Sequence, residues 1–202
     1  MKIRNRLAAA AAAAAALPLA FAALPAVAQT SDVYASVSLK TAASAPITTA
    51  EVEAAQRAWG EALVAIAVEY ERGGQAAARV LAGQVIDSAY GYNLGPVAFK
   101  PTLAAPPTTF RTTRDGALSY FVGGDSRYPG DTGFALKGWR AFEIDNAAIV
   151  INGTTAISVG NVILTDAQGK VTTVDKTWAY VRDDAGKLRI VAHHSSLPYA
   201  AH

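Results

Sequence analysis

From Phe134 onward the sequence is a succession of alternating β-rich runs joined by hairpin turns, and no other feature restricts the fold as much. Residues 147–152 and 155–164 flank Asn152-Gly153, a dipeptide suited to the two positive-φ positions of a type I′ turn. Further runs at 139–144, 171–182 and 188–196 are linked through the turn-forming residues 166–169 and 183–186. Strands tied by such short loops pair antiparallel. The region therefore predicts a curved antiparallel sheet of about five to six strands, counting an edge piece further upstream.

The sequence ahead of the sheet is helical. Thr48 followed by Glu51 is a capping box, and Ile47 with Val52 forms a hydrophobic staple, so a helix starts at Thr48. Val52, Ala55, Trp59, Leu63, Ile66 and Tyr70 recur at three- and four-residue steps, which gives one apolar stripe that ends at Gly73-Gly74. A second helix is expected over 75–88, and a short third over 113–122, capped by Thr112, with Asp115 in its first turn and Gly123-Gly124 as its stop. Between them, Tyr90, Tyr92, Val97 and Phe99 sit in extended pieces broken by Gly and Pro, an edge hairpin or a wandering strand. Helices first and hairpin-linked strands afterwards imply an α+β domain, a cone-shaped sheet wrapped around one long helix and two shorter ones.

The N-terminus reads as a signal for export. Lys2, Arg4 and Arg6 precede an alanine-rich apolar run, and Ala26-Val27-Ala28 supplies the small-residue cleavage pattern. Residues 1–28 are thus expected to be removed, which makes the protein periplasmic or secreted with no membrane attachment; 29–46 read as a flexible linker, 47–199 as one domain and 200–202 as a tail. Cleavage would take three of the 18 basic residues and none of the 16 acidic ones, leaving a formal charge of about −1, with Lys and Arg scattered singly. That distribution argues against nucleic acid. With zero cysteines there is no disulfide framework and no thiolate metal site. Asp125 and Asp131 lack the ligand spacing of a calcium loop, and no Gly-rich phosphate loop or nucleophile elbow is visible, so no metal and no cofactor are expected.

The last strand carries the polar residues that invite a function, His193-His194-Ser195-Ser196. Strict alternation places Leu188, Ile190, Ala192, His194 and Ser196 on one face and Arg189, Val191, His193 and Ser195 on the other, so one histidine faces the helices and the other faces outward. A four-residue loop at 183–186 sets Asp175 opposite His194. A three-residue loop with a bulge at Gly186 sets Asp175 opposite Ser195 and Lys176 opposite His194. Either register brings the Asp175 carboxylate near a histidine, where it would favour the imidazolium.

The capped first helix, the shorter second helix and the long sheet ending in His193-His194-Ser195-Ser196-Leu197-Pro198-Tyr199 resemble the nuclear transport factor 2-like, or cystatin-like, cone. The closing hairpin resembles the association (hub) domain of calcium/calmodulin-dependent protein kinase II and its stand-alone bacterial relatives: Val191, His194 and Ser196 match the last-strand pattern, and Lys187 matches the Lys after the hairpin Gly. The resemblance implies a homo-oligomer formed through sheet faces and a deep pocket between helix one and the sheet. It departs at Trp178, which stands where the hub domain carries a pocket arginine.

The leading expectation is an exported, oligomeric small-molecule-binding domain without demonstrated catalysis. Its pocket would be lined by Trp59, Tyr70, Tyr90, Trp139, Trp178 and Tyr180, with His194 and Ser196 at the polar end. The rival is an enzyme of the isomerase, cyclase or dehydratase type, with His194 or Asp175 as general base and Tyr90 as donor to developing negative charge. A third reading is an assembly scaffold.

Overall fold

A computed structural model describes residues 45–200. The expected signal peptide and residues 29–44 of the expected linker lie outside the described residues. Helix α1 (Thr49–Ala89) starts at the predicted cap: the Thr48 side chain accepts from the Glu51 N–H at 3.3 Å, and Glu51 accepts from the Thr48 N–H at 2.9 Å. Ile47 and Val52, the staple pair, are both buried. The two expected helices form one element because the chain kinks at Gly74, whose φ of 72° suits glycine, and resumes helix at once. Helix α2 (Arg114–Val122) is capped by Thr113, one residue later than predicted, through a bond from the Gly116 N–H.

The sheet has five strands: β1 (Ala98–Lys100), β2 (Trp139–Asn152), β3 (Thr155–Asp166), β4 (Val171–Arg182) and β5 (Leu188–Ser196), in the order β1-β5-β4-β3-β2. It is open and mixed. The hairpin-linked strands are antiparallel as predicted, but β1 pairs with β5 in parallel, Phe99 opposite His193. Turn signals report only on neighbours in sequence, and β1 and β5 are separated by most of the domain. The runs at 139–144 and 147–152 are one strand with an irregularity between Asn146 and Ala148. Gly160 lies opposite it, and a Cβ there would collide with the Asp145 carbonyl. Among the described residues, no helix is long and apolar enough to cross a membrane.

One face of the sheet packs on the helices. Trp59, Leu63, Ile66 and Ile86 of α1 meet Ala156, Val162, Val174, Trp178, Tyr180 and Ile190, all buried. Each such side chain contributes ~1.5–3 kcal/mol when fully removed from water. The other face keeps Val150, Ile157 and Val159 exposed at 62%, 48% and 45%.

The register of the last hairpin differs from both expected ones. Asp175 pairs with Ser196, Lys176 with Ser195, Thr177 with His194 and Trp178 with His193. Ala179 pairs with Ala192 but Tyr180 with Ile190, so Val191 is an extra, bulged residue. A bulge shifts the alternation by one. Ile190, His193 and Ser195 therefore face the helices, while Ala192, His194 and Ser196 face away.

Candidate active site

The bulge delivers a histidine to the interior, and its neighbours come from every side. Across β4, Trp178 and Lys176 point inward because β4 alternates regularly through Val174, Lys176, Trp178 and Tyr180. From β1, the Phe99 ring stacks on the His193 imidazole at 4.5 Å with 13° between planes. Tyr90, in the C-cap position of α1, places its hydroxyl 2.9 Å from His193 Nδ1. That hydroxyl also accepts from Trp59 Nε1–H at 3.0 Å. The other imidazole nitrogen, Nε2, lies 2.8 Å from Lys176 Nζ. The Lys176 amine rests 4.4 Å from the Trp59 ring centroid and makes no ion pair among the described residues.

A second polar group adjoins the first. Ser195 is the Cα partner of Lys176, and its hydroxyl lies 2.8 Å from Thr102 Oγ1, just past β1. Tyr120 of α2 accepts from the Leu103 N–H at 3.4 Å, and its ring packs edge-on to Phe99. Thr102, Tyr120 and Ser195 are all at most 9% exposed, so three hydroxyls crowd one end of an aromatic interior. Lys100 donates to the Ser195 carbonyl at 2.9 Å.

Burial sets the electrostatics. His193 is held well below the ordinary imidazole range, first by desolvation and then by the Lys176 charge. Desolvation brings Lys176 down from 10.5 to about 7. It pushes Tyr90 and Tyr120 upward, so both phenols stay protonated and can donate. The site thus holds a neutral imidazole, neutral phenols and an amine balanced between its two states near neutral pH.

Of the residues singled out in the sequence, Trp59, Tyr90, Trp178 and Tyr180 meet in the interior. Trp59 and Tyr180 also line a cavity of about 200 Å³ between α1 and β4–β5, with Ala55, Ala58, Ala62 and Ile190. Trp139 is buried elsewhere, its indole N–H donating to the Phe134 carbonyl at 2.8 Å. Tyr70 is not in the interior; it is 38% exposed, because the apolar stripe of α1 drifts toward solvent before the kink. His194 and Ser196 lie on the outer face, contrary to the expected pocket position, because of the bulge at Val191. Asp175 is on that face too, bonded to Asn161 Nδ2 at 2.8 Å, and is no partner of the interior histidine. Lys176 left a signal in the sequence, a lysine on the core-facing phase of β4. Thr102 and Tyr120 left none, since only tertiary folding joins them to Ser195. Among the described residues, no three His, Asp or Glu side chains converge to hold a metal ion.

Comparison with known proteins gives this geometry a context. A family model described as metal-independent carbonic anhydrase matches residues 50–197. A protein of that name from Nostoc sp. is 61% identical over 183 residues, covering 90% of this chain and 89% of its own. A crystal structure of a cyanobacterial iota-carbonic anhydrase complexed with bicarbonate superposes with a TM-score of 0.77 at 63% identity, covering 81% of this chain and all of that one. A chain from Xanthomonas campestris, named for the association domain of calcium/calmodulin-dependent protein kinase II, superposes at 0.47 and 20% identity, covering 80% of this chain and all of that one. The closely similar proteins are named as enzymes, which overturns the expectation of a binding domain without demonstrated catalysis and, with it, the scaffold reading. A family match over most of the domain and 61% identity across nine-tenths of the sequence establish that the chain belongs to the metal-independent carbonic anhydrase family.

Proposed function

We propose that this chain hydrates carbon dioxide to bicarbonate, using hydroxyl donors where other enzymes of that activity use a metal. The observation that carries the reading is the buried cluster of Thr102, Tyr120 and Ser195 hydroxyls beside a neutral His193 held at both nitrogens. In the reaction a water oxygen bonds to the carbon, the two carbon dioxide oxygens gain negative charge, and the water gives up a proton. Preorganised O–H donors in a dry site stabilise that charge at no reorganisation cost. The imidazole, linked to Tyr90 and Lys176, gives the proton a way out. The bicarbonate bound in the related crystal structure supports the same ligand class here. Stopped-flow hydration of carbon dioxide by chelator-treated protein tests the reading: turnover is expected to be unchanged by the chelator, and its disappearance would sink the metal-free mechanism.

Two further readings accompany it. The exposed apolar residues Val150, Ile157 and Val159 favour self-association through the outer face of β2 and β3. The basic and apolar N-terminal run favours export with cleavage after Ala28, so that hydration takes place in the periplasm or outside the cell.

A further inference from the structure

We propose that Lys176 is a positioning residue that stores the proton released by carbon dioxide hydration and, by its own charge, switches the tautomer of His193. The inference rests on the hydration reading for its catalytic half and on hydrogen-bond geometry for the rest.

The donor and acceptor inventory of the buried chain permits few proton arrangements. Trp59 Nε1–H can only donate, so the Tyr90 oxygen accepts from it at 3.0 Å. Among the described residues the sole further polar partner of that hydroxyl is His193 Nδ1. In the first arrangement Tyr90 donates to Nδ1, the imidazole carries its proton on Nε2, and Nε2–H points at Lys176 Nζ. A charged ammonium has three donors and no acceptor, so Lys176 must then be a neutral amine. In the second arrangement Lys176 is charged and donates to Nε2, the imidazole proton sits on Nδ1 and is donated to the Tyr90 oxygen, and the Tyr90 proton is left without an acceptor among the described residues. The two differ by one proton, which resides on the lysine. His193 is neutral in both.

Burial agrees with this division. The amine lies in aromatic surroundings, between the Trp59 and Trp178 rings, with no carboxylate among the described residues to fix its charge. Tyr90 faces the pair from the end of α1, and Tyr92 stacked on it, Tyr180 of β4 and Tyr120 of α2 act on Tyr90. Opposite Lys176, β3 presents only Gly160; Lys100 at the end of β1 is committed to the Ser195 carbonyl, and His194 lies across the strand. An imidazole this depressed is a poor final proton acceptor at neutral pH, whereas the amine, brought to about 7, is matched to it. Ser195, directly opposite Lys176, keeps the store beside the hydroxyl cluster.

Nitrogen-15 NMR of histidine-labelled full-length protein reads the tautomer directly, with His193 assigned by His193→Gln. The wild type is expected to carry the His193 proton on Nε2 at about pH 9 and on Nδ1 at about pH 6, with a midpoint of about 7 and no imidazolium. In Lys176→Met the proton should stay on Nε2 throughout, and kcat should fall about 10²-fold and lose its acidic limb while KM is unchanged. Should that variant not fold, the Nζ resonance of wild-type Lys176 must move with the same midpoint. A single tautomer in the wild type across this range, or a switch that persists in the methionine variant, overturns the proposal. A wild-type chain that does not hydrate carbon dioxide would overturn the functional reading instead, and the tautomer measurement would still decide the coupling.

Discussion

His193 and His194 are neighbours in sequence, and nothing in their chemistry separates them, yet the fold gives them opposite tasks. His193 is 1% exposed, stacked on Phe99 and hydrogen-bonded at both ring nitrogens, whereas His194 faces out from the sheet beside Thr177. The same division runs along β4, where Lys176 is interior and Asp175, one residue away, bonds to Asn161 outside. Among the described residues the inner face thus holds an acid-base system without a carboxylate partner, and the outer face holds the carboxylate. A buried charge pair would have fixed the lysine as an ammonium. Keeping Asp175 outside leaves the interior amine free to titrate.

The most direct way to break the comparison is to remove each histidine. His193→Ala is expected to lower kcat for carbon dioxide hydration by about 10²–10⁴-fold, as for loss of a general acid-base group, while His194→Ala stays within about twofold. Equal effects would mean that the bulge does not divide the faces functionally. Ser195→Ala and Thr102→Val come next. Each removes one hydroxyl donor, and a loss of about 10²–10³-fold in kcat is expected, measured under the same stopped-flow conditions.

The contrast between Lys176 and a methionine in its place sharpens the electrostatic side. The unfolded lysine takes its proton near 10.5 and the folded one near 7, so between these values the unfolded state binds more protons. Wild-type stability therefore rises with pH across that window, by up to about 1.4 kcal/mol per unit from this group, and its cost is complete below about 7. His193, also depressed, adds a loss of stability as pH falls below its ordinary 6.5. In Lys176→Met the lysine contribution disappears, so the difference in unfolding free energy between the two proteins, from urea titrations at several pH values, should narrow steadily from about pH 7 to 10. A constant difference would show that Lys176 is not buried as an uncompensated amine.

How much of this was legible in the sequence follows from which interactions are local. The Thr48–Glu51 cap and the Asn152-Gly153 hairpin each depend on residues within a few positions of one another, and each is found, whereas Gly73-Gly74 gives a kink within α1 where a stop was expected. The bulge at Val191 is not encoded by any turn residue, and that single extra residue reversed the faces of the closing strand. The parallel pairing of β1 joins segments about 90 residues apart with no connecting motif. Thr102 and Tyr120 reach the site the same way. Hydrophobic alternation did carry one unused hint, because Lys176 breaks the apolar phase of an otherwise regular core strand.

The smallest expected effect tests the outer face. If Asp175 neither orients a histidine nor holds a charge the interior needs, Asp175→Asn should leave kcat, KM and the pH profile within about twofold. Its hydrogen-bond partner among the described residues is the Asn161 amide, from which the new carbonyl oxygen can still accept, so stability should change by no more than about 0.5 kcal/mol. A displaced pH profile would mean that the carboxylate acts on the interior through the sheet, since Thr177 and His194 stand beside it on the same face. Separation of the faces would then be geometric only, and the charge state of Lys176 would have to be read together with that of Asp175.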